Sequence, residues 1–251
     1  VFGEGPKDKD SLGPGVYNQY SRGKEGFHIS SIQFAVHYMF KDSETFHQFM
    51  RNISECTKLD GYFIGTCYDG MKIFNMLRNK QQDESISIKE NGDTIWEITK
   101  KYDNDRFNQD DETCFGYSVD VFQETINKSF REYLVNFNYF KQMVENYGFV
   151  LLTKSEEKEL GLKSIGTFEE MFRMMKRESK TTNSKYGEAL NMSANEKKIS
   201  FLNKYFIFKK VRSVNAQKVA FDLINSANMN EIEEEELQEE AHELRGKLIE
   251  E

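Results

Sequence analysis

Residues 29–40 read Ile29-Ser30-Ser31-Ile32-Gln33-Phe34-Ala35-Val36-His37-Tyr38-Met39-Phe40, and the polar Lys41-Asp42-Ser43 follows. A largely apolar run closed by a polar boundary predicts a buried parallel strand. Outward from it, Phe46, Phe49, Met50 and Ile53 recur at helical spacing. Ser43 is the expected N-cap of that helix and Asp60-Gly61 its stop. Tyr62 to Cys67 predicts a second strand, and Met71 to Leu77 opens another helix. Strand, helix, strand, helix is the signature of an α/β fold with a doubly wound sheet. Period-2 alternation puts Ile32, Phe34, Val36 and Tyr38 on one face of the first strand. Ser31, Gln33, Ala35 and His37 then share the other. A Gln and a His on a buried strand are costly unless hydrogen-bonded, to backbone or to a ligand. In open α/β sheets, ligands gather at the carboxyl ends of the strands.

The middle of the chain changes period. Ser85 to Lys89 and Thr94 to Thr99 alternate on either side of Asn91-Gly92, a strong hairpin signal. A third strand is expected over Gly116 to Gln123, which makes residues 85–123 an antiparallel insertion. A helix should run from about Tyr133 to Tyr147, stopped by Gly148. Phe149 to Thr153 reads as a strand. Phe168, Met171, Phe172 and Met175 mark a further helix, with the methionines as core. Asn203 to Val211 reads as a last, aromatic strand. The chain thus divides into a Gly- and Pro-rich loop segment (1–27), an α/β body (28–212) and an acidic helical tail (213–251), read as solvated. Gly3-Glu4-Gly5 is not a nucleotide loop, because no strand precedes it and Pro6 follows.

Charge is unevenly spread. The net charge is −8, yet residues 229–251 hold ten Glu against Arg245 and Lys247. The rest is neutral, and Lys154 to Arg212 carries 14 Lys and Arg against 8 Glu and no Asp. An acidic total therefore does not exclude a nucleic-acid partner. Cys56, Cys67 and Cys114 form neither a CxxC pair nor a zinc pattern, which suits a reduced, intracellular protein. No metal site is expected, and no stretch is long and apolar enough to predict a membrane helix or a signal peptide.

The segments Ser31-Ile32-Gln33-Phe34-Ala35-Val36-His37-Tyr38, Arg51-Asn52-Ile53-Ser54-Glu55 and Asp60-Gly61-Tyr62-Phe63-Ile64-Gly65-Thr66 together resemble the messenger-RNA cap guanine-N7 methyltransferases. Phe115-Gly116, Glu132-Tyr133-Leu134-Val135 and Tyr205-Phe206-Ile207-Phe208 fit that family's later motifs in order, from about His28 to Val211. The Gly-rich lead and acidic tail are similar to the methyltransferase regions of multifunctional capping enzymes from large DNA viruses. The resemblance implies a class I S-adenosylmethionine-dependent methyltransferase (Rossmann-like) sheet. It implies methyl transfer to N7 of the guanosine cap, GpppN-RNA. On the matching positions, Gln33 and Tyr38 would contact S-adenosylmethionine, and His37, Glu132 and Tyr205 would hold the cap guanine. It also implies RNA triphosphatase and guanylyltransferase activities as partners, on the same chain or another. The location it implies is the nucleus of a cell, or a cytoplasmic viral factory or virion.

These residue types suit such a reaction. N7 of guanine carries a lone pair and no proton, so no general base is needed and proximity and orientation dominate. A carboxylate can accept from both N1–H and the N2 amino group, which separates guanine from adenine. An imidazole can donate to O6, and a tyrosine ring can stack. Left to itself, Glu132 reads as an acid near a helix N-terminus. One departure stands out. The family's Gly-rich cofactor loop and its ribose-binding acid should lie upstream of Gln33, and neither is present. The expectation is a methyltransferase sheet lacking its N-terminal strands, weakly active alone. The alternative is a non-catalytic methyltransferase-like subunit that stimulates or anchors a capping complex.

Overall fold

The computed structural model describes residues 2–3, 5–107, 111–180 and 186–227. In chain order the elements are α1 (Lys9–Tyr17), β1 (Phe27–Gln33), α2 (Ser43–Cys56), β2 (Thr57–Tyr68), α3 (Gly70–Met76), β3 (Ser85–Glu90) and β4 (Asp93–Lys100). There follow β5 (Ser118–Gln123), β6 (Lys128–Tyr133), α4 (Phe137–Asn146), β7 (Phe149–Leu151), α5 (Lys154–Leu160), β8 (Ile165–Thr167), α6 (Phe168–Glu178), α7 (Ala194–Ser200) and β9 (Asn203–Lys210). A last helix runs over 216–227.

The strands form two sheets. One has the order β1-β2-β9-β7, with β8 also on β9, and the other the order β3-β4-β5-β6. In the first sheet β1 and β2 are parallel, while β9 runs antiparallel to β2, β7 and β8. The core lies between this sheet and α2, α4 and the 216–227 helix. It is built on phenylalanines 40, 46, 63, 140, 149, 206 and 208, all fully buried. Each such side chain contributes about 1.5–3 kcal/mol by leaving water. Two devices fix the first sheet, one between its strands and one against α2. Gly65 sits where a Cβ would come within 2.4 Å of the Ile32 carbonyl oxygen and of the Phe206 ring, so β1 and β9 close on β2 only over a glycine. Lys210 is buried, and its ammonium donates to the carbonyls of Ser54 and Thr57 at the C-terminal end of α2. Burial lowers its pKa, and the carbonyls and the helix dipole favour its charge.

The second sheet begins at the expected hairpin. Asn91 (φ 52°) and Gly92 (φ 98°) are both left-handed, the requirement of a type I′ turn. The insertion reaches further than residue 123, because β6 adds a fourth strand ending at Tyr133. The helix expected from Tyr133 therefore starts only at Phe137, capped by the Asn136 side chain. Glu132 lies on β6 and not at a helix N-terminus.

Other expectations are corrected. The first strand stops at Gln33. Phe34 turns left-handed (φ 52°), and Val36–Phe40 winds into a 3-10 turn. An apolar run cannot by itself distinguish extended from helical backbone. With the strand broken, the parity linking Gln33 to His37 no longer applies. Nor is β1 buried, since most of its residues are exposed. Asp42, not Ser43, caps α2, accepting from the Thr45 N–H at 2.7 Å. Asp60 (φ 62°) and Gly61 do not stop α2, which ends at Cys56. They sit within β2, where the register against β1 shifts. The lead read as loop contains α1, kinked at Gly13 (φ 68°). The tail read as solvated starts by packing Ala216 and Ala220 into the core. Its acidic part, 229–251, lies outside the described residues.

Candidate functional site

A cavity of about 570 Å³ opens between the C-terminal end of the first sheet, the inner face of the second sheet, and α6 with α7. Sheet pairing explains what lines it. Opposite residues of an antiparallel pair share a face. Val121 opposes Phe130, and Val119 opposes Glu132. Trp96 and Ile98 on β4 continue the same apolar face. Glu132 is thus a carboxylate on the hydrophobic side of its sheet. The opposite side is a surface ladder in which Arg131 pairs with Asp120, and Lys101 bridges Asp120 and Asp83 at 3.5 and 2.6 Å.

Across the cavity from β6, the 3-10 turn presents His37 and Tyr38, their rings in edge contact at 4.2 Å. His37 Nδ1 lies 3.7 Å from Glu132 Oε2. That is within reach of an ion pair, but too long for a hydrogen bond. Burial governs the charges here. It pushes the Glu132 carboxyl up to about 7 and holds the His37 imidazolium down to about 4. At neutral pH His37 is therefore uncharged and Glu132 is poised to titrate, so the two do not form a salt bridge. Both ring nitrogens of His37 and Oε2 of Glu132 are buried and make no hydrogen bond among the described residues. Native interiors rarely leave such atoms unmatched, and each costs about 1–3 kcal/mol. A mainly apolar cavity with a few unmatched polar atoms is the pattern of a site for a polar ligand.

Aromatic rings make up part of the remaining walls. Phe34 is half exposed and meets Phe168 of α6 edge-on at 6.0 Å. Holding Phe34 left-handed costs roughly 1–2 kcal/mol, and such strain collects at working sites. The Tyr68 hydroxyl accepts from the Trp96 indole N–H at 3.1 Å, and burial raises its pKa to about 12. Cys67 stays a thiol, because burial raises its pKa well above the usual range.

Of the five residues marked from sequence, His37, Tyr38 and Glu132 meet at this cavity. Gln33 ends β1 outside the lining, its amide donating to Ser31 Oγ and accepting from Thr66 Oγ1, both at 2.9 Å. Tyr205 lines a neighbouring cleft. Its neighbour two residues back, Asn203, reaches the cavity, with one buried side-chain oxygen unmatched. Asn203 and Tyr68 escaped the sequence reading. A usable signal was Glu132 itself, which stands in the apolar phase between Phe130 and Leu134.

Residues 9–211 match the model of the mRNA (guanine-N7)-methyltransferase domain. The chain belongs to this family. As a family member it has the class I S-adenosylmethionine-dependent methyltransferase fold, of which the β1–β2 parallel pair and the antiparallel β9 are part. Among known proteins, a probable mRNA-capping enzyme of Acanthamoeba polyphaga mimivirus is 26% identical over 225 residues, covering 80% of this chain and 18% of that protein. The mRNA cap guanine-N(7) methyltransferase of Aspergillus niger is 28% identical over 148 residues, covering 56% of this chain and 22% of that protein. The chain therefore spans about a fifth of the length of these two relatives. Among solved structures, the CcbJ methyltransferase of Streptomyces caelestis aligns with a TM-score of 0.41 at 9% identity, covering 76% of this chain and 59% of that one.

Proposed function

We propose that the cavity binds the guanine of an unmethylated RNA cap, and that the chain carries the acceptor site of a cap guanine-N7 methyltransferase. The observation that supports this most is the pair of unmatched groups, Glu132 and His37, facing each other across 3.7 Å in a cavity walled by rings. The ionised carboxylate accepts from guanine N1–H and N2–H. The neutral imidazole donates one N–H to O6. Adenine presents an acceptor at N1 and no acceptor at C6, so it leaves both protein groups unsatisfied. Tyr38 and Phe34 offer ring faces to the base. Bound this way, the base has its N1–N2 edge engaged and its N7 free.

S-adenosylmethionine, when bound, supplies an electrophilic methyl group on a sulfonium. Gln33 fits one part of such a cofactor. Its amide, at the tip of β1, keeps a second N–H and a second lone pair beyond its bonds to Ser31 and Thr66. The exposed rings of Phe34 and Tyr38 stand nearby in sequence. The chain's own contribution is to orient guanine and exclude water, since N7 needs no deprotonation. RNA triphosphatase and guanylyltransferase activities, on this or a partner chain, would make the GpppN substrate.

The test is binding of GpppA against ApppA, followed by methyl transfer to GpppRNA from labelled S-adenosylmethionine, by this chain and by one extended upstream in its own frame. Preference for GpppA by tenfold or more, lost in Glu132→Ala, is expected. Equal binding of the two dinucleotides would refute the guanine site.

A further inference from the structure

Among the described residues, no Lys or Arg lines the guanine cavity. Yet the proposed substrate carries, beyond its cap, one phosphate per nucleotide. Those charges need cations elsewhere, and the described residues hold a concentrated set. Between α5 and α6 lies a second cleft, of about 910 Å³, in which seven of thirteen lining residues are Lys or Arg against two Glu. It accounts for half of the basic residues counted between Lys154 and Arg212.

The cations there are of two kinds. Lys154, Lys163 and Arg173 are held by Glu157, Glu170 and Glu169 at 2.6, 2.6 and 2.5 Å. Lys158, Lys176, Arg177 and Lys180 are exposed and form no ion pair among the described residues. Arg173, Lys176 and Arg177 follow the i, i+3, i+4 spacing of one face of α6, and Lys180 comes just past its end. Like charges at that spacing repel, costing a helix a few tenths of a kcal/mol per pair. The helix dipole offsets this only in the last turn. An aromatic ring lies in the same cleft. Tyr205 packs over Gly166, where a Cβ would come within 2.4 Å of its hydroxyl.

The cleft is adjacent to the guanine cavity. Asn203 in the cavity and Tyr205 in the cleft are two residues apart on one face of β9, about 6–7 Å. Helix α6 spans both, with Phe168 in the cavity and Arg173 and Arg177 in the cleft. We infer that the α5–α6 cleft holds the phosphate backbone of the RNA whose cap occupies the cavity. This rests on the guanine reading, and its test separates the two.

The experiment measures the affinity of the full 251-residue chain for GpppA, for a capped 15-nucleotide RNA, and for the same RNA uncapped, between 50 and 200 mM salt. It compares wild type with the triple variant Lys176→Gln, Arg177→Gln, Lys180→Gln. Single-stranded phosphate contacts contribute a log–log salt slope of about −0.7 each. The triple variant should therefore lose about two units of slope and bind both RNAs on the order of a hundredfold more weakly at 50 mM, the gap narrowing roughly 20-fold by 200 mM, with GpppA affinity unchanged. Unchanged RNA affinity and slope in a variant that melts like wild type would overturn the cleft. Equal wild-type affinity for capped and uncapped RNA would sink the guanine reading, while leaving the slope comparison to decide the cleft.

Discussion

Glu132 gives the guanine site a pH dependence that can be worked out in advance. Burial places its carboxyl at about 7, and only the carboxylate accepts from guanine N1–H and N2–H. Half of the protein is in the binding form at pH 7, about nine-tenths at pH 8 and about one-tenth at pH 6. The dissociation constant for GpppA should therefore be about tenfold larger at pH 6 than at pH 8, equivalent to about 1.4 kcal/mol. His37 contributes nothing in this window, because its imidazole titrates at about 4. Calorimetry at pH 7 in two buffers of different ionisation enthalpy should count about half a proton released per site. Glu132→Gln should bind roughly 10–100-fold more weakly, by loss of charge-assisted hydrogen bonds, and with a flat profile. The same pKa has the opposite consequence for stability. A carboxyl raised in the folded state stabilises fully below its unfolded value of 4.5, and that contribution is lost as pH rises through 7. Glu132→Gln should therefore be more stable than wild type at pH 8, by up to about 3 kcal/mol, with the gap closing by pH 4.5. A flat wild-type profile between pH 6 and 8, or the wild-type profile persisting in Glu132→Gln, would refute the reasoning.

Other consequences follow from the frame that holds the site. Lys210→Met keeps the buried stem but leaves the Ser54 and Thr57 carbonyls without their donor, which should cost about 1–3 kcal/mol in a urea melt at an unchanged m-value. Gly65→Ala puts a methyl 2.4 Å from the Ile32 carbonyl oxygen, so β1 and β2 must part. A loss of more than about 2 kcal/mol is expected, against a few tenths at Gly15, where a Cβ meets nothing. Phe140→Ala, at the centre of the aromatic core, should cost about 3–5 kcal/mol while leaving the ratio of GpppA to ApppA binding unchanged.

Much of the architecture was legible because it rests on local rules. The Asn91-Gly92 hairpin, the helical spacing of Phe46 to Ile53 and the aromatic last strand each obey a period that needs no tertiary context. The misreadings share a cause. The run from Ile29 to Phe40 is apolar throughout, and apolarity does not say whether backbone is extended or wound. Strand β6 was missed because Lys128-Ser129-Phe130-Arg131 is mostly polar and exposed, stabilised by pairing with β5 and not by burial. Helix α1 buries none of its residues, so it carries no apolar stripe to read.

By itself the sequence determined the family. Its motifs are order and identity along a chain, and they marked Gln33, His37, Tyr38, Glu132 and Tyr205 alike. Only the tertiary structure decided which of these meet. His37 and Glu132 are 95 residues apart in number and 3.7 Å apart in space, because a 3-10 turn after β1 faces an added strand of the second sheet. Tyr205 and Asn203 lie two residues apart, yet α6 runs between their surroundings and puts them in different clefts. The titration of Glu132 near neutrality is likewise a tertiary property. It comes from the water that Val119, Val121 and the opposite turn exclude, and no spacing in the chain encodes how much water a fold removes.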